Sequence, residues 1–382
     1  MYKELKNFTS LIIDYRGKTP LKLGLKWSNS GYRALSAKNI KTGHIVNEDS
    51  IYYGDDVLYK AWMKDEVQRG DILITSEAPF GEVFYWDSDE KIILSQRLFC
   101  LRPKNIIPKY LYYAMISRGF QAELLSRATG TTVTGLRQPE LLRCKILEKS
   151  PTEQQHIVDI LGSIDNSIEN NEKIIETLEE KMLLEYDSLI SNASLSVSEM
   201  QEIFDISIGK TPPRKESHWF TENPEDVKWL SISDMGKAKV FAFDSSEKIT
   251  AEGIEKYNVK IAPENTVLLS FKLTIGKVAI TGCEMATNEA IAHFVSNDEN
   301  IVEYLYCYLK RYNFDMLGNT SSIATAVNSK TIKAMKFYYP DTESLVDFHR
   351  IAEPLIKKIK HLLITNAKLN ELKQLYLKKF FG

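Results

Sequence analysis

The longest regular pattern in the chain is a seam of apolar side chains that begins at Ile157. Its members recur in steps that alternate between four and three residues, which is the heptad repeat of a coiled coil. The only nearby glycine, Gly162, lies outside the seam. At 1.5 Å per residue, the seam predicts a helix about 50 Å long. Its positions are Ile157, Leu161, Ile164, Ile168, Asn171, Ile175, Leu178, Met182, Glu185 and Leu189.

A second long helix is predicted near the end of the chain, with one phase slip after Asn366. The first helix should occupy residues 151–192, with Pro151 at its first position or Thr152 as its N-cap, and the second should occupy residues 341–382. Asn171 and Asn366 hold the same seam position. Because a polar residue in an apolar seam fixes register, antiparallel packing predicts a hydrogen bond between these two amides. The second seam reads Ala352, Ile356, Ile359, Leu363, Asn366, Leu369, Leu372 and Tyr376.

The region before each long helix is a repeat of the other. Short matches between the two regions recur in the same order at an offset of roughly 190–195 residues. The duplication predicts two tandem globular domains, at residues 1–150 and 193–340. Two antiparallel helices would relate the domains by a pseudo-two-fold axis. The matches are Tyr15–Pro20 with Ser207–Pro212, Leu35–Asn39 with Leu230–Asp234, Asp71–Val83 with Thr266–Val278, and Tyr110–Tyr112 with Tyr304–Tyr306.

Inside each domain the pattern is mixed α/β, and the fold class is α+β. Short β-rich runs at 71–75, 92–101 and 267–270 are separated by Gly, Pro and Asn. Helices are predicted over 108–125 and over 301–317. The match between the two halves places Gly81 on Gly276.

The Gly-Lys-Thr-Pro motif at the start of each domain is not a phosphate-binding P-loop. That loop needs a second glycine five positions earlier, and Ile12 and Phe204 stand there. The proline after each threonine also opposes the start of a helix at that point. We interpret the motif as a strand-to-loop turn, in which Lys18 and Lys210 either reach phosphate or remain solvated.

Composition excludes several classes of protein. With 382 residues, 43% hydrophobic and 26% charged, the chain is globular. No apolar run is long enough to span a membrane and residues 1–8 do not form a signal peptide, so a cytoplasmic location is expected. The four cysteines and six histidines are scattered, which argues against a metal site. A net charge of −2 means that any DNA binding must come from local basic patches or from a partner.

Two similar domains on a rigid spacer suit a ligand with two sites at a fixed distance, such as duplex DNA. The stretches IGKTPPRK, VKWLSISDM and TNEAIAHF, with SPTEQQHIVDILGSIDNSIENNEKIIETLEEKM between the halves, resemble the specificity subunit of type I restriction–modification enzymes. The resemblance covers essentially the whole chain. Its most specific motif is Pro-x-Glu-Gln-Gln-x-Ile at 151–157, which in the second half has decayed to PDTESLVDFHRI.

The resemblance implies a non-catalytic subunit. Each domain would recognise one half of an interrupted double-stranded DNA target, and the spacer helices would dock methyltransferase subunits, expected to be two. Those subunits would use S-adenosylmethionine, and restriction subunits joined through them would use ATP and Mg²⁺. No cofactor and no metal is expected in this chain, and no membrane partner.

Candidate DNA contacts lie in loops that match between the two halves and carry hydrogen-bonding or cationic side chains. The alternative is that these segments are only flexible connections. In the first half the candidates are Lys18, Lys38, Asn39, Ser76, Gln96, Arg97, Thr131, Thr132, Arg137 and Gln138; in the second they are Lys210, Arg214, Ser233, Lys272, Asn288, Thr325 and Asn328.

Two other functions remain open at this level. Asp226-Val227-Lys228 is an Asp-x-Lys sequence of the kind found in nucleases, but it has no counterpart in the first half. The second alternative is a scaffold that joins protein partners through its coil without reading DNA.

Overall fold

A computed structural model describes residues 1–130, 134–272, 274–314, 317 and 327–382. The chain forms two compact units. Unit 1 contains Met1–Ile168 and Lys368–Gly382, and unit 2 contains Glu169–Ala367. Within the described ranges, no helix is both long and apolar enough to cross a membrane.

Unit 1 is built from short strands and helices, and the first long helix begins in it. Its strands are β1 (Tyr2–Glu4), β2 (Thr9–Asp14), β3 (Tyr32–Leu35), β4 (Ile40–Lys41), β5 (His44–Ile45), β6 (Tyr52–Gly54), β7 (Ile72–Thr75), β8 (Val83–Tyr85), β9 (Ile93–Leu94), β10 (Leu98–Pro103) and β11 (Lys145–Leu147). Its helices are α1 (Asp56–Trp62), α2 (Pro108–Ile116), α3 (Arg118–Ser126), α4 (Gln138–Arg143) and α5 (Pro151–Asn192), which continues into unit 2.

The strands of unit 1 form two main sheets. One has the order β2-β10-β7-β8 and is antiparallel, and the other has the order β6-β3-β9, in which β3 and β9 are parallel. Buried aromatic and aliphatic side chains of α2 pack against the first sheet, together with Leu377 and Phe381 from the end of the chain. A separate apolar cluster around Trp62 and Trp86 fills the space by the second sheet.

Unit 2 repeats this plan. Its strands are β12 (Ser196–Glu199), β13 (Asp205–Ile208), β14 (Phe220–Thr221), β15 (Val227–Leu230), β16 (Phe241–Ala242), β17 (Glu247–Ile249), β18 (Ile261–Ala262), β19 (Val267–Ser270), β20 (Val278–Thr281), β21 (Met285–Thr287), β22 (Ile291–Val295) and β23 (Lys336–Tyr339). Its helices are α6 (Met200–Ile203), α7 (Ile232–Lys237), α8 (Ala251–Lys256), α9 (Val302–Arg311), α10 (Ser329–Lys333) and α11 (Thr342–Phe381), which ends in unit 1.

The main sheets of unit 2 contain counterparts of the strands of the unit 1 sheets in the same order, with β16 added to one sheet and β14 and β18 added to the other. The sheet orders in unit 2 are β13-β22-β19-β20-β16 and β14-β17-β15-β21-β18, and β15 pairs in parallel with β21 as β3 does with β9. Gly81 and Gly276 both have positive φ and close the equivalent hairpins, donating to the carbonyls of Thr75 and Ser270. The tandem duplication read from the sequence is therefore present in the fold.

Two predicted elements of unit 1 are divided. The helix expected over 108–125 breaks at Ser117, which is extended and whose hydroxyl accepts from the amide of Phe120 to cap α3. The strand expected over 92–101 is two strands in different sheets, β9 and β10. At the corner between them Arg97 adopts a φ of 64°, so the chain turns from one sheet into the other.

In unit 2 the long helices run antiparallel. Asn171 Nδ2 donates to Asn366 Oδ1 at 2.8 Å, and further along the same pair of helices the rings of Tyr186 and Phe348 lie 6.4 Å apart. The contact between the two amides agrees with the expectation from the seam. After Met182 the buried positions are Leu183 and Tyr186 rather than Glu185, because the helix there packs on the apolar core of the unit.

In unit 1 the two helices meet through a charged contact. Lys373 Nζ lies 2.6 Å from Asp165 Oδ1, whereas Leu372, expected in the seam, is 40% exposed.

The start of α5 is capped by Ser150 rather than Thr152. The Ser150 hydroxyl accepts from the amide of Glu153, and the Glu153 carboxylate accepts from the amide of Ser150. Pro151 occupies the first helical position, as one of the two alternatives predicted.

The Glu-Gln-Gln motif has a structural use at the start of α5. Gln154 is 4% exposed, its side-chain oxygen accepts from the amide of Ile107 at 2.9 Å, and its side-chain nitrogen donates to the carbonyl of Lys149 at 2.9 Å. The amide group thus joins the beginning of α5 to the residue that precedes α2. This explains why glutamine stands at a buried position.

Candidate nucleic-acid interface

The sheet-to-sheet corner of unit 1 brings the predicted loops together. The amide of Ala37 donates to the carbonyl of Gln96, and the amide of Ser76 donates to the carbonyl of Arg97. The carbonyl of Ser76 in turn accepts from the amide of Leu136. Main-chain hydrogen bonds therefore connect the loops after β3, after β7, between β9 and β10 and before α4 in one continuous edge. We call it the unit 1 edge.

Unit 2 has a corresponding edge, formed by the counterparts of the loops after β3, after β7 and between β9 and β10. The amide of Asn288 donates to the carbonyl of Leu230, and the amide of Phe271 donates to the carbonyl of Ala290 at 2.9 Å. The second bond is the counterpart of the one between Ser76 and Arg97. We call these residues and the Gly-Lys-Thr-Pro loop before them the unit 2 edge.

Strand registers correct one sequence match at this edge. The amide of Ser95 donates to the carbonyl of Leu35, just as that of Asn288 donates to Leu230, so Ser95 and Asn288 are equivalent. Gln96 therefore corresponds to Glu289 and not to Asn288. The offset between the halves falls from 195 residues at Ser76 and Phe271 (271 − 76) to 193 residues at Ser95 and Asn288 (288 − 95), which the sequence match placed one residue out of register.

The two Gly-Lys-Thr-Pro loops are also not superimposable in register. Asp14 pairs with Phe99 and Ile208 with Ala292, which makes the ends of β2 and β13 equivalent. The motif then begins directly after the strand in unit 2 but two residues later in unit 1. Neither motif glycine has positive φ, so a left-handed backbone conformation is not the reason for these glycines.

Gly209 is needed instead for a close approach between chain segments. A Cβ atom there would lie 2.1 Å from Thr287 Oγ1 and 2.3 Å from the carbonyl oxygen of Asn288. A Cβ atom at Gly17 would meet nothing within 4 Å. The loop of unit 2 is thus pressed onto the strand corner, and the amide of Lys210 donates to the carbonyl of Thr287.

The lysines of the two motifs consequently have different surroundings. Lys18 Nζ donates to the carbonyl of Trp62 at 2.6 Å and lies over the ring of Tyr15. Burial lowers the pKa of Lys18, and the charge of Lys64 lowers it further. Lys210 is exposed. Lys210 is the lysine that is free to move toward a ligand.

The unit 1 edge carries two adjoining concavities that share Thr19, Gln96 and Arg97. The first, of about 330 Å³, is aromatic. The second, of about 540 Å³, is richer in cations. Six of the sequence candidates line one or both: Lys18, Lys38, Ser76, Gln96, Arg97 and Arg137.

The aromatic concavity contains residues that the sequence did not single out. Trp27 stacks on Tyr52 with ring centres 5.4 Å apart and planes at 11°, and Lys38 Nζ lies 5.3 Å from the centre of the Tyr52 ring. Tyr52 is 56% exposed. These aromatic residues are distant from the matched loops in sequence, and only the pairing of β6 with β3 brings them to the edge.

The cations of the second concavity are partly neutralised. Arg97 Nε lies 3.0 Å from a carboxylate oxygen of Glu77, and Arg16 makes a bidentate contact with Asp14. Arg137 is exposed, and Gln138 beside it is partly buried at the start of α4. Arg97 and Lys22, which line the same concavity, are exposed as well.

Three candidates have side chains that are buried or that bond to their own loops. Asn39 is fully buried; its side-chain oxygen accepts from Ser36, and its nitrogen donates to the carbonyl of Asn47. Ser76 is 2% exposed. Asn328 is the N-cap of α10, and its oxygen accepts from the amides of two following residues. The side chains of Asn39 and Asn328 are used to shape their loops, which the sequence pattern cannot distinguish from a ligand contact.

The remaining candidates of unit 2 lie on or near its edge. Ser233 and Lys272 are exposed, and Asn288 is held by donation to Thr211 Oγ1 and by acceptance from the amide of Ala290. Arg214 is exposed as well. Thr131, Thr132 and Thr325 lie outside the described residues.

A family model of the type I restriction modification DNA specificity domain matches residues 3–180 and again residues 194–374. The chain belongs to this family. The two matches correspond to the two repeated halves, so each half is one specificity domain.

Named relatives point to the same family. The chain is 24% identical over 321 residues to the specificity subunit of the type I restriction enzyme MjaIX of Methanocaldococcus jannaschii, covering 76% of this chain and 72% of the relative. It is 21% identical to the HindI specificity subunit of Haemophilus influenzae, covering 84% and 87%. A crystal structure of a type I S subunit from M. genitalium matches with a TM-score of 0.59 at 16% identity, covering 100% of this chain and 96% of that one. That likeness shows the fold.

In the second specificity domain, a buried imidazole supports the edge. His293 is fully buried in β22; its Nδ1 lies 3.1 Å from Ser207 Oγ and its Nε2 lies 2.6 Å from Thr287 Oγ1. Burial lowers the pKa of His293 to about 4. Because the carbonyl of Thr287 holds Lys210, the neutral imidazole indirectly orders the Gly-Lys-Thr-Pro loop.

The same specificity domain has a basic groove that was not among the sites predicted from the sequence. Lys260, Lys330 and Lys333 line a concavity of about 660 Å³ beside β13. In the part of the chain that is described, no three His, Cys, Asp or Glu side chains gather where they could hold a metal ion.

Proposed function

We propose that each specificity domain reads one half of an interrupted double-stranded DNA target through its edge. The observation that carries this proposal is the duplicated edge. In both units main-chain hydrogen bonds gather three equivalent loops, while the side chains displayed there differ. A common scaffold with different side chains is what the recognition of two different half-sites requires.

The charges of the edges are compatible with a polyanionic ligand. The chain as a whole has a net charge of −2, but Lys38, Arg97 and Arg137 lie along the unit 1 edge and Lys210 and Lys272 along that of unit 2. Lysine and arginine at such positions supply the sequence-independent part of DNA binding by contact with phosphates. Exposed amides and hydroxyls nearby, such as Gln96, can then read base edges.

The rest of the proposal concerns assembly. The two long helices set the distance between half-sites and dock two methyltransferase subunits, and restriction subunits join through them. S-adenosylmethionine is then bound by the methyltransferase subunits, and ATP and Mg²⁺ by the restriction subunits. The chain itself is non-catalytic and acts in the cytoplasm.

The decisive experiment is to express the chain with its methyltransferase partner and to sequence the methylated sites of the host genome. A bipartite target is expected. Arg137→Ala or Gln96→Ala should relax one half, and Lys272→Ala should affect only the other. A good bidentate base contact contributes about 1–3 kcal/mol of discrimination. Equal loss in both halves would show that these residues serve folding or assembly instead.

The alternatives make different predictions in the same system. A nuclease would nick DNA with Mg²⁺ as the purified chain alone, although Lys228 of the Asp-x-Lys sequence donates to the carbonyl of Phe243 at 2.7 Å. A scaffold that does not read DNA would protect no DNA segment in footprinting, with or without the methyltransferase subunit. Protection of a bipartite segment would contradict both.

A further inference from the structure

One strand position carries side chains of different chemical character in the two units. Ala34 and Trp229 are equivalent, since each pairs with the corresponding parallel strand. Their antiparallel partners on the other side are Tyr52 and Glu247. Unit 1 therefore presents an aromatic ring where unit 2 presents a carboxylate.

The carboxylate of Glu247 is paired with Arg214. Arg214 Nη1 donates to Glu247 Oε1 at 2.7 Å, and the guanidinium carbon lies 3.9 Å from the centre of the Phe220 ring and 4.6 Å from that of Trp229. Stacking on two rings fixes the plane of the guanidinium. The side chains of Arg214 and Glu247 are nevertheless 49% and 37% exposed, so their polar ends remain accessible.

This pair lies beside the unit 2 edge. Arg214 follows the Gly-Lys-Thr-Pro loop, and Trp229 beneath it donates through Nε1 to the carbonyl of Lys210 at 3.1 Å. Ser245 fixes the strand position of Glu247. Its Oγ donates to the carbonyl of Glu247 and accepts from the amide of Trp229. A ligand that contacts Lys210 would therefore also meet Arg214 and Glu247.

We propose that Arg214 and Glu247 together read one G·C base pair in the half-site bound by unit 2. The inference rests on the proposed function and adds the base that this domain selects. In the major groove, guanine offers two acceptors, N7 and O6, and cytosine offers one donor, its N4 amino group. A planar guanidinium supplies two parallel N–H donors and the adjacent carboxylate supplies an acceptor. The pair complements the whole G·C pattern.

An A·T pair fits this arrangement poorly. It presents an acceptor, a donor, a second acceptor and a methyl group. A fixed guanidinium would face the adenine amino group donor to donor, and the carboxylate would face the O4 of thymine acceptor to acceptor. The same position in unit 1 shows the contrast, because Tyr52 stacked on Trp27 offers an apolar surface suited to a thymine methyl group.

The test uses the full chain in complex with its methyltransferase partner and a library of bipartite DNA sites with randomised half-sites. The measured quantity is the methylation preference at every position. The wild-type complex should require a G·C pair at one position that Arg214→Ala relaxes, with discrimination falling by about 5- to 150-fold. The other half should keep its preferences. Tyr52→Ala is the matched control in unit 1 and should leave that G·C requirement intact.

Arg214→Lys separates base reading from phosphate contact. Lysine keeps the charge but loses the planar fork, so it should relax the G·C position as alanine does. Restored discrimination with lysine, relaxation at an A·T position, or no change with alanine would overturn the inference while a bipartite target would still support the proposed function. A wild-type complex that methylates without sequence preference would refute the proposed function itself. Thermal melting of each variant identifies loss of folding.

Discussion

Lowering the pH should destabilise unit 2 through a single buried imidazole, His293. In the unfolded chain a histidine takes up a proton near pH 6.5, whereas burial lowers the pKa in the folded unit to about 4. The unfolded state therefore binds more protons between these values. Stability is fully present above pH 6.5 and is lost as the pH falls toward 4.

The size of this effect follows from the two pKa values. Linkage gives a loss of about 2 kcal/mol between pH 7.5 and pH 5, approaching about 3 kcal/mol when the pH falls below 4. A protonated imidazole donates from both nitrogens, so whichever of the Ser207 and Thr287 hydroxyls donates to the neutral ring must turn its hydrogen away. Since Thr287 holds Lys210, opening should spread to the Gly-Lys-Thr-Pro loop.

Hydrogen exchange followed by mass spectrometry can measure the opening free energy of peptides from β22 and β13 at the two pH values. Unit 1 provides an internal control, because Cys100 stands at the position equivalent to His293. His293→Gln should remove most of the pH dependence from the β22 peptide, whatever its effect at pH 7.5. An equal pH dependence in the wild type and the variant would refute the assignment to this imidazole.

Three further predictions concern the loop and the long helices. Gly209→Ala should destabilise unit 2 by about 1–3 kcal/mol, since the new methyl group would overlap Thr287. Gly17→Ala should change the free energy of unfolding by less than about 0.5 kcal/mol, and urea unfolding of both variants measures the difference. Inserting one heptad into both long helices adds about 10 Å, or roughly three base pairs of rise, and should lengthen the methylated target's spacer; an unchanged spacer would show that the helices are not the ruler. Native mass spectrometry should show two methyltransferase subunits per chain, and a one-to-one complex at saturation would contradict this.

Periodicity and repetition allowed the main features of the fold to be predicted. The heptad seam located the long helices because a helical face of that length has few alternatives, and it correctly anticipated the contact between Asn171 and Asn366. The seam did not predict the buried residues where the helix packs against a different part of the protein. Beyond Met182 the helix meets a domain core, so Tyr186 replaces Glu185 as the buried residue.

The candidate site was predicted at the level of loops but less well at the level of side chains. Matched loops do meet at both edges, since equivalent strands must end at equivalent places. Whether a polar side chain faces a ligand or its own backbone depends on the turn, and so Asn39 was indistinguishable from Gln96. Glu247 and Tyr52 were missed because strand pairing, and no motif, brings them to the edge.

The main-chain bonds that connect the loops of each edge have an evolutionary consequence. An amide from residue 76 or 271 reaches its partner carbonyl whether the side chain is that of serine or phenylalanine. The main-chain bonds that hold the edge together therefore do not depend on the side chain at this position. If each edge reads one half-site, as proposed, a lineage can acquire a new target one half at a time, while the other half remains unchanged.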